Sequence, residues 1–416
     1  MEINVTSEIG KLNGAIIHSP GEEVENMIPA NAERALYSDI LNLAVASKEY
    51  AQFRGIMEKT TKKVFEVKDL LTETLENDEA KRKLLRSICV KEEQGNLEEE
   101  LFAVNNKKLA AMLIEGVPLK RNNLTSFLSK EEYSLKPLHN FFFTRDSAAS
   151  IRNKIIINRM KSKVRSRESK IIQTIIKYHP EMSGDIINPE ETIFFNDKIT
   201  IEGGDILVAR ADVIIIGVGS RTSTQGVDFL IEFLNERKIC KHIIVQELPL
   251  TPESFIHLDM VFTFLDKDSC MVYAPVIFNS HNYQTVHIEL DNGRVKSIVE
   301  EKDIPAALKK IGIDIEPIYC GGKKDEWTQE REQWHSGANF FAFEPGKVIG
   351  YSRNVHTLEE MNNHGFEIIE AKDIISDKIS LDNYKKCVVS IDGSELARGG
   401  GGCRCMTLPI NREPAD

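Results

Sequence analysis

The chain has 416 residues, 41% of them hydrophobic and 28% charged, with a formal net charge of −11. This length calls for two or three ordinary domains or one closed repeat architecture, and the composition is that of a soluble globular enzyme. The acidic balance argues against nucleic acid as a partner and leaves a small cationic substrate open.

The opening stretch, "MEINVTSEIGKLNG", has no basic segment followed by an apolar run, so no secretory leader is expected. The first strand expected is "LNGAIIHSP", ended by Pro20 and Gly21. Between residues 30 and 134 the texture becomes helical. Leu36, Ile40, Leu43, Ser47 and Tyr50 fall on one face of an amphipathic helix. "LLTETLENDEAKRKLLRSI" and "LEEELFAVNNKKLAAMLIEG" repeat that period with charged opposite faces, and strand signals are almost absent. Residues 30–134 are therefore expected to form an inserted helical bundle with a structural role. Residues 1–29 and 135–416 would form the catalytic part.

From residue 135 a unit recurs. "FFFTRDSAASIRNKIIINR" reads as strand, turn and strand, followed by the helical "ESKIIQTIIKYH". "ITIEGGDILVARADVIIIGVG" reads as two strands around Arg210, Ala211 and Asp212, followed by the helical "GVDFLIEFLNERK". "HLDMVFTFLDKDSCMVYAP" and "NFFAFEPGKVIGYSRN" add two more hairpins, and "CVVSID" leads into "GGGGCRCM". Hairpin-plus-helix units at this spacing suggest an α/β propeller, with "GAIIHSP" and the C-terminal segment completing a fifth blade. An ordinary α/β or α+β sandwich is the alternative. Asp146, Glu202, His257 and Asp259 all stand at the entry to a hairpin, and in a radial fold such positions converge on the axis, where they would meet Cys405.

The candidate residues have plainer readings too. "EGGD" frees Glu202 and Asp205 to point apart, although an acid there could simply form a turn. "HLDM" puts His257 and Asp259 on one side of an extended segment. "FTRD" could hold only an exposed ion pair. Arg165 follows Asp146 by the same interval as Arg221 follows Glu202, which suits two forked donors at matched places around a carboxylate. Cys403 and Cys405 admit three roles: a redox pair, a metal corner, or one nucleophile with a bystander. A structural zinc wants about four ligands, and no second Cys/His pair stands out. The other five cysteines are scattered, which fits reduced thiols in a cytoplasm.

Taken together, "SEIGKLNGAIIHSPGEE", "NFFFTRD", "KVRSRES", "IEGGD", "GVGSRTS", "HLDMVF", "REQWHSGAN", "YSRNV", "GSELARG" and "RCMTLPINR" resemble the arginine deiminases. These belong to the guanidino-group modifying superfamily. The resemblance implies a five-bladed pseudo-symmetric α/β propeller with an inserted helical bundle. It also implies hydrolysis of L-arginine to citrulline and ammonia in the cytoplasm, without metal or organic cofactor. It makes Cys405 the nucleophile, Asp146 and Asp259 the carboxylates that grip the guanidinium, and Glu202 and His257 the acid–base pair. Asn140 and Phe143 would line the substrate, and Arg165 and Arg221 would hold its carboxylate. An amidinotransferase, or a non-catalytic arginine-binding member, would carry a similar set, and a homo-oligomer stays open. The sequence departs from the family where "FDDI" reads "YSDI" (Tyr37 to Ile40), where "EHxxF" reads "EYAQF", and at Gly400, where many members have a further arginine.

Overall fold

The computed structural model describes residues 1–28, 39–193, 196–279, 281–291 and 293–415. The architecture is mixed α/β. Strand β1 (Leu12–Ile17) is followed by the 18-residue helix Leu43–Thr60 and by β2 (Lys63–Glu66), which runs parallel to β1. The helix starts where the Asn42 side chain accepts the Val45 N–H at 3.2 Å. It buries Ala46, Tyr50, Phe53 and Met57; of the face expected from the sequence Tyr50 is buried, while Leu43 is half-buried and Ser47 exposed, because the apolar stripe runs one residue away from Ser47. Ile40 lies ahead of this helix, and Leu36, Tyr37 and Ser38 lie outside the described residues.

Strand β2 stands inside the stretch expected to be purely helical. Its four residues, "KVFE", are too few to show a strand period. The two long helices expected there are each divided. Val67–Thr74 and Asp78–Lys91 are separated at Asn77, and Glu98–Phe102 and Asn106–Glu115 at Asn105. Both asparagines cap the following helix through their side chains. A small antiparallel pair, β3 (Val117–Pro118) and β4 (Tyr133–Leu135), closes the region.

The remaining strands are β5 (Ala148–Ile151), β6 (Lys154–Ile157), β7 (Asp185–Ile187), β8 (Ile206–Arg210), β9 (Val213–Val218), β10 (His242–Glu247), β11 (Phe262–Asp266) and β12 (Ser269–Val272). They continue with β13 (Thr285–Asp291), β14 (Arg294–Glu301), β15 (Glu316–Tyr319), β16 (Phe341–Glu344), β17 (Lys347–Tyr351), β18 (Glu367–Glu370), β19 (Cys387–Ile391) and β20 (Leu408–Arg412). Five sheets share one plan: an antiparallel pair whose second strand takes a parallel third. They are β5-β6-β7, β8-β9-β10, β11-β12-β15, β16-β17-β19 and β20-β1-β2. A parallel partner cannot be reached by a tight turn. Helices make the crossing: Leu43–Thr60 from β1 to β2, Ser166–Tyr178 from β6 to β7, Thr224–Glu236 from β9 to β10, and Val355–Asn363 between β17 and β19. The hairpin β13-β14 extends the second sheet and β18 flanks the fourth; neither is foreseen in the sequence reading.

Helices and neighbouring sheets cover these strands. Ile155, Ile156, Ile214, Ile215 and Ile216 are all buried, the continuous apolar run of a sheet enclosed on both faces. Each such side chain contributes roughly 1.5–3 kcal/mol of burial. Among the described residues no helix is long and apolar enough to cross a membrane.

Candidate active site

In every one of the five sheets, the loop entering the first strand delivers a polar side chain to the same place. Asp146 sits in the 3₁₀ turn Thr144–Ser147 before β5, and Glu202 precedes the turn Gly203–Asp205 before β8. His257 precedes, and Asp259 lies within, the turn Leu258–Met260 before β11. Asn339 comes just before β16 and Cys405 just before β20. The three turns pack on one another. None of these six residues is more than 3% exposed.

These segments are turns, not the strand starts that the sequence suggests, so the alternation argument for His257 and Asp259 does not hold. The two side chains instead serve different partners. His257 Nε2 donates to Glu202 Oε2 at 2.9 Å, and its Nδ1 stands 3.6 Å from Asp146 Oδ1. Asp259 lies beside the thiol, with Cys405 Sγ at 3.7 Å from Oδ2 and 3.9 Å from Oδ1. Asn339 ties down the loop that carries Cys405: its Nδ2 donates to Cys405 Sγ at 3.2 Å, and its Oδ1 accepts the Arg404 N–H at 2.9 Å. The glycines permit these approaches. A Cβ on Gly204 would lie 2.6 Å from the His257 ring. One on Gly402 would lie 2.6 Å from Asn339 Oδ1, and Gly400 holds φ at +83°, in the left-handed region.

A cavity opens onto these groups, lined by Asn140, Phe143, Asp146, Arg165, Arg221, His257, Cys405 and the run Gly399–Gly401. Of the nine residues singled out in the sequence, Glu202 and Asp259 stand behind this lining, against His257 and Cys405. Asp146 Oδ1 and His257 Nδ1 are buried without a hydrogen-bond partner, two polar atoms side by side at the cavity. Arg165 is engaged more fully than its expected role implies. Nη1 donates to Asp146 Oδ2 at 2.6 Å, Nη2 to Glu168 Oε2 at 2.8 Å, and Nη2 also to the carbonyls of Asn140 and Phe143. Arg221 is buried, and among the described residues its side chain makes no hydrogen bond or ion pair.

Burial raises the Cys405 thiol well above its ordinary value, and the charges of Asp259 and Asp146 raise it further. Burial would lower His257, but Asp146 and Glu202 outweigh it and lift the imidazole to about 9. Burial would raise Glu202, but the His257 hydrogen bond and the charges of His257, Arg221 and Arg165 hold it at about 2. The resting site thus pairs a thiol with an imidazolium and a carboxylate. Asp146, Glu202 and His257 each bring a possible metal-ligating atom within 4.8 Å of the others. His257 and Glu202 are already joined to each other, and Asp146 to Arg165.

Three contributors are absent from the sequence reading: Asn339, Glu168 and Arg404. Arg404 is 1% exposed; it donates to Asp259 Oδ2 at 2.9 Å and to Glu8 at 3.0 Å, and so anchors the carboxylate beside the thiol. Asn339 was within reach of the repeat logic, since it occupies in the fourth sheet the place that Asp146 and Glu202 occupy in others.

The family model described as arginine deiminase matches residues 33–412. The chain belongs to the arginine deiminase family. It is 32% identical to an arginine deiminase of Staphylococcus aureus (strain MRSA252) over 427 aligned residues, covering 99% of this chain and 98% of that one. An amidinotransferase from Microseira wollei shares the fold, with a TM-score of 0.54 and 15% identity over 99% of this chain and 98% of that chain. So does unliganded AgrE, with a TM-score of 0.54 and 13% identity, where the match spans 98% of this chain and 40% of that chain. Within the arginine deiminase family this member carries Gly400 in an open stretch of loop, where a Cβ would meet nothing within 4 Å. Its positive φ, and not crowding, is what disfavours an arginine there.

Proposed function

We propose that this protein hydrolyses L-arginine to L-citrulline and ammonia through a covalent S-alkylthiouronium on Cys405. The observation that carries this reading is the meeting of a thiol, an imidazolium–carboxylate pair and two further carboxylates at one buried cavity. A guanidinium is resonance-stabilised and a poor electrophile, so its central carbon needs a sulfur nucleophile. Asp146 Oδ1 and Asp259 supply the anionic acceptors that hold the cation in place.

As the cation arrives between the two carboxylates it offsets the charges that hold the thiol protonated, and the thiolate forms. Sulfur attacks the central carbon, and the displaced π-pair moves onto nitrogen. The C–N bond then breaks, with His257 giving its proton to the departing ammonia. Neutral His257 next takes a proton from water, which adds to the thiouronium carbon. The C–S bond breaks, the remaining hydroxyl proton goes to the departing sulfur, and Cys405 is returned as the thiol. Glu202 holds the imidazole in position throughout. No step needs a metal or an organic cofactor.

The five like sheets, each sending a polar residue to one centre, support a pseudo-symmetric five-bladed α/β propeller. Residues 1–29 and 135–416, with the crossing helix Leu43–Thr60 and β2, form the catalytic unit, and the helices between β2 and residue 134 form the insertion. Arg221 takes the substrate carboxylate, and Arg165 adds its charge while holding Asp146 in place.

Incubation with arginine is expected to release citrulline and ammonia in equal amounts. Ornithine with a new guanidino compound would instead mark amidino transfer, and no product at all would mark a binding protein. Agmatine, which lacks the carboxylate, is expected to be at least about 100-fold poorer in kcat/KM, since a buried arginine left without its partner is costly. Arg221→Ala should bring the two substrates within about tenfold of each other. Equal wild-type efficiency on both would refute carboxylate recognition.

A further inference from the structure

The segment 158–165 borders two cavities. Arg165 lines the catalytic one, while Asn158, Arg159, Lys161 and Lys163 line a larger cleft of about 370 Å³. That volume suits a small ligand and not a macromolecular groove.

The cleft is cationic in a protein whose formal net charge is −11. Lys91, Arg159, Lys161, Lys163 and Lys170 line it with the carboxylates of Glu190 and Asp197, and Glu191 stands within electrostatic reach of Lys170. Glu190 is shared among three cations: Lys91 at 2.7 Å, Arg159 at 3.6 Å and Lys170 at 3.9 Å. Asp197 pairs with Arg159 at 3.1 Å. Lys161 and Lys163 are exposed and, among the described residues, have no acidic partner within ion-pair distance. A buried polar atom adds to this. Ser169 Oγ, on a residue 5% exposed that lines the cleft, has no hydrogen-bond partner. Ser169 lies in the first turn of the helix Ser166–Tyr178, whose leading N–H groups favour negative charge.

We propose that this cleft binds a small phosphate-bearing anion of at least two negative charges, and that its occupancy is felt in the catalytic site. A surplus of lysines, which act as compact point charges, together with a free hydroxyl donor, suits a phosphoryl group better than a planar carboxylate. The link to the catalytic site is direct. The Lys161 backbone N–H donates to Glu202 Oε1 at 2.9 Å, and Asn158 Nδ2 donates to the Asp146 carbonyl at 2.8 Å. An anion that draws this segment toward the cleft therefore shifts the supports of both carboxylates.

Calorimetric titration of the full chain with inorganic pyrophosphate at low ionic strength is expected to show one saturable site. Lys163→Ala and Lys170→Ala should each weaken it about tenfold, the worth of a charged hydrogen bond, with thermal midpoints near that of the parent. ATP in a parallel titration separates a nucleotide from a free-phosphate ligand by which binds more tightly. Pyrophosphate that saturates the parent should shift its KM for arginine at least about twofold, and about tenfold more should be needed for the same shift in Lys163→Ala. Absence of saturation up to roughly 10 mM, a weak affinity by any standard, would overturn the site. So would binding unchanged in both folded variants. Saturable binding with unmoved arginine kinetics would overturn the coupling. The binding measurement stands apart from turnover, so its failure is distinct from a failure of the arginine reaction.

Discussion

Cys405→Ser is expected to lower citrulline formation by about 10⁴-fold or more, because the chemistry passes through a carbon–sulfur bond for which a hydroxyl cannot substitute. Cys403→Ser should retain most activity. Cys403 is fully buried within an apolar cluster that includes Met260 and Tyr351, burial raises its thiol strongly, and it does not line the cavity. Cys405 lines the cavity and touches both Asn339 and Asp259. An amidine-bearing alkylator allows the two to be told apart directly. Trypsin cuts after Arg398 and Arg404, so Cys403 leaves in "GGGGCR" and Cys405 in "CMTLPINR". Mass spectrometry should find the adduct on the second peptide. An adduct on the first alone, or full turnover in Cys405→Ser, would remove the assignment.

The second large effect pairs a loss with a gain. Asp259→Asn should cut arginine turnover by about 10²-fold or more, since the cation loses one of two anchors and is misplaced from the sulfur. The same change should make Cys405 more reactive toward iodoacetamide at neutral pH. Burial and the charges of Asp259 and Asp146 together hold the thiol protonated, and Arg404 opposes them. Removing Asp259's charge takes away one raising influence and leaves Arg404 without that partner, so the thiolate fraction rises. A merely damaged site would lose both reactivities. Turnover and alkylation falling together would therefore sink the electrostatic account, as would near-normal turnover.

Much of this was legible in the sequence, for identifiable reasons. Hairpins such as β8-β9 announce themselves because their strands are near-continuous Ile/Val/Leu runs broken by a short polar turn at Ala211 and Asp212. The proposed catalytic residues stand out by their place before such hairpins and by the motifs around them. Strand β2 was missed because four residues between helices show no period. The helix breaks at Asn77 and Asn105 were missed although asparagine before an acidic or polar turn is a start signal. The hairpin β13-β14 carries a turn-type "DNG" that went unread. Glu8 bound to Arg404, and Glu168 bound to Arg165 behind Asp146, were not legible at all. Periodicity reports which face a residue occupies, and not which distant charge it will meet there.

The pairing of β1 with β20 sets Leu12 opposite Arg412, and Arg404 just before β20 reaches back to Glu8. These contacts span nearly the whole sequence, so the loop-closure entropy of joining them falls late in folding. A nascent chain still lacking residues 399–412 has Asp146, Glu202, His257 and Asp259 but neither the Cys405 thiol nor the antiparallel partner of β1. On the proposed mechanism a chain in synthesis would be chemically silent toward guanidinium groups until the last sheet is stitched. Mutations that loosen that seam should be felt as slower acquisition of activity before they are felt as lost stability.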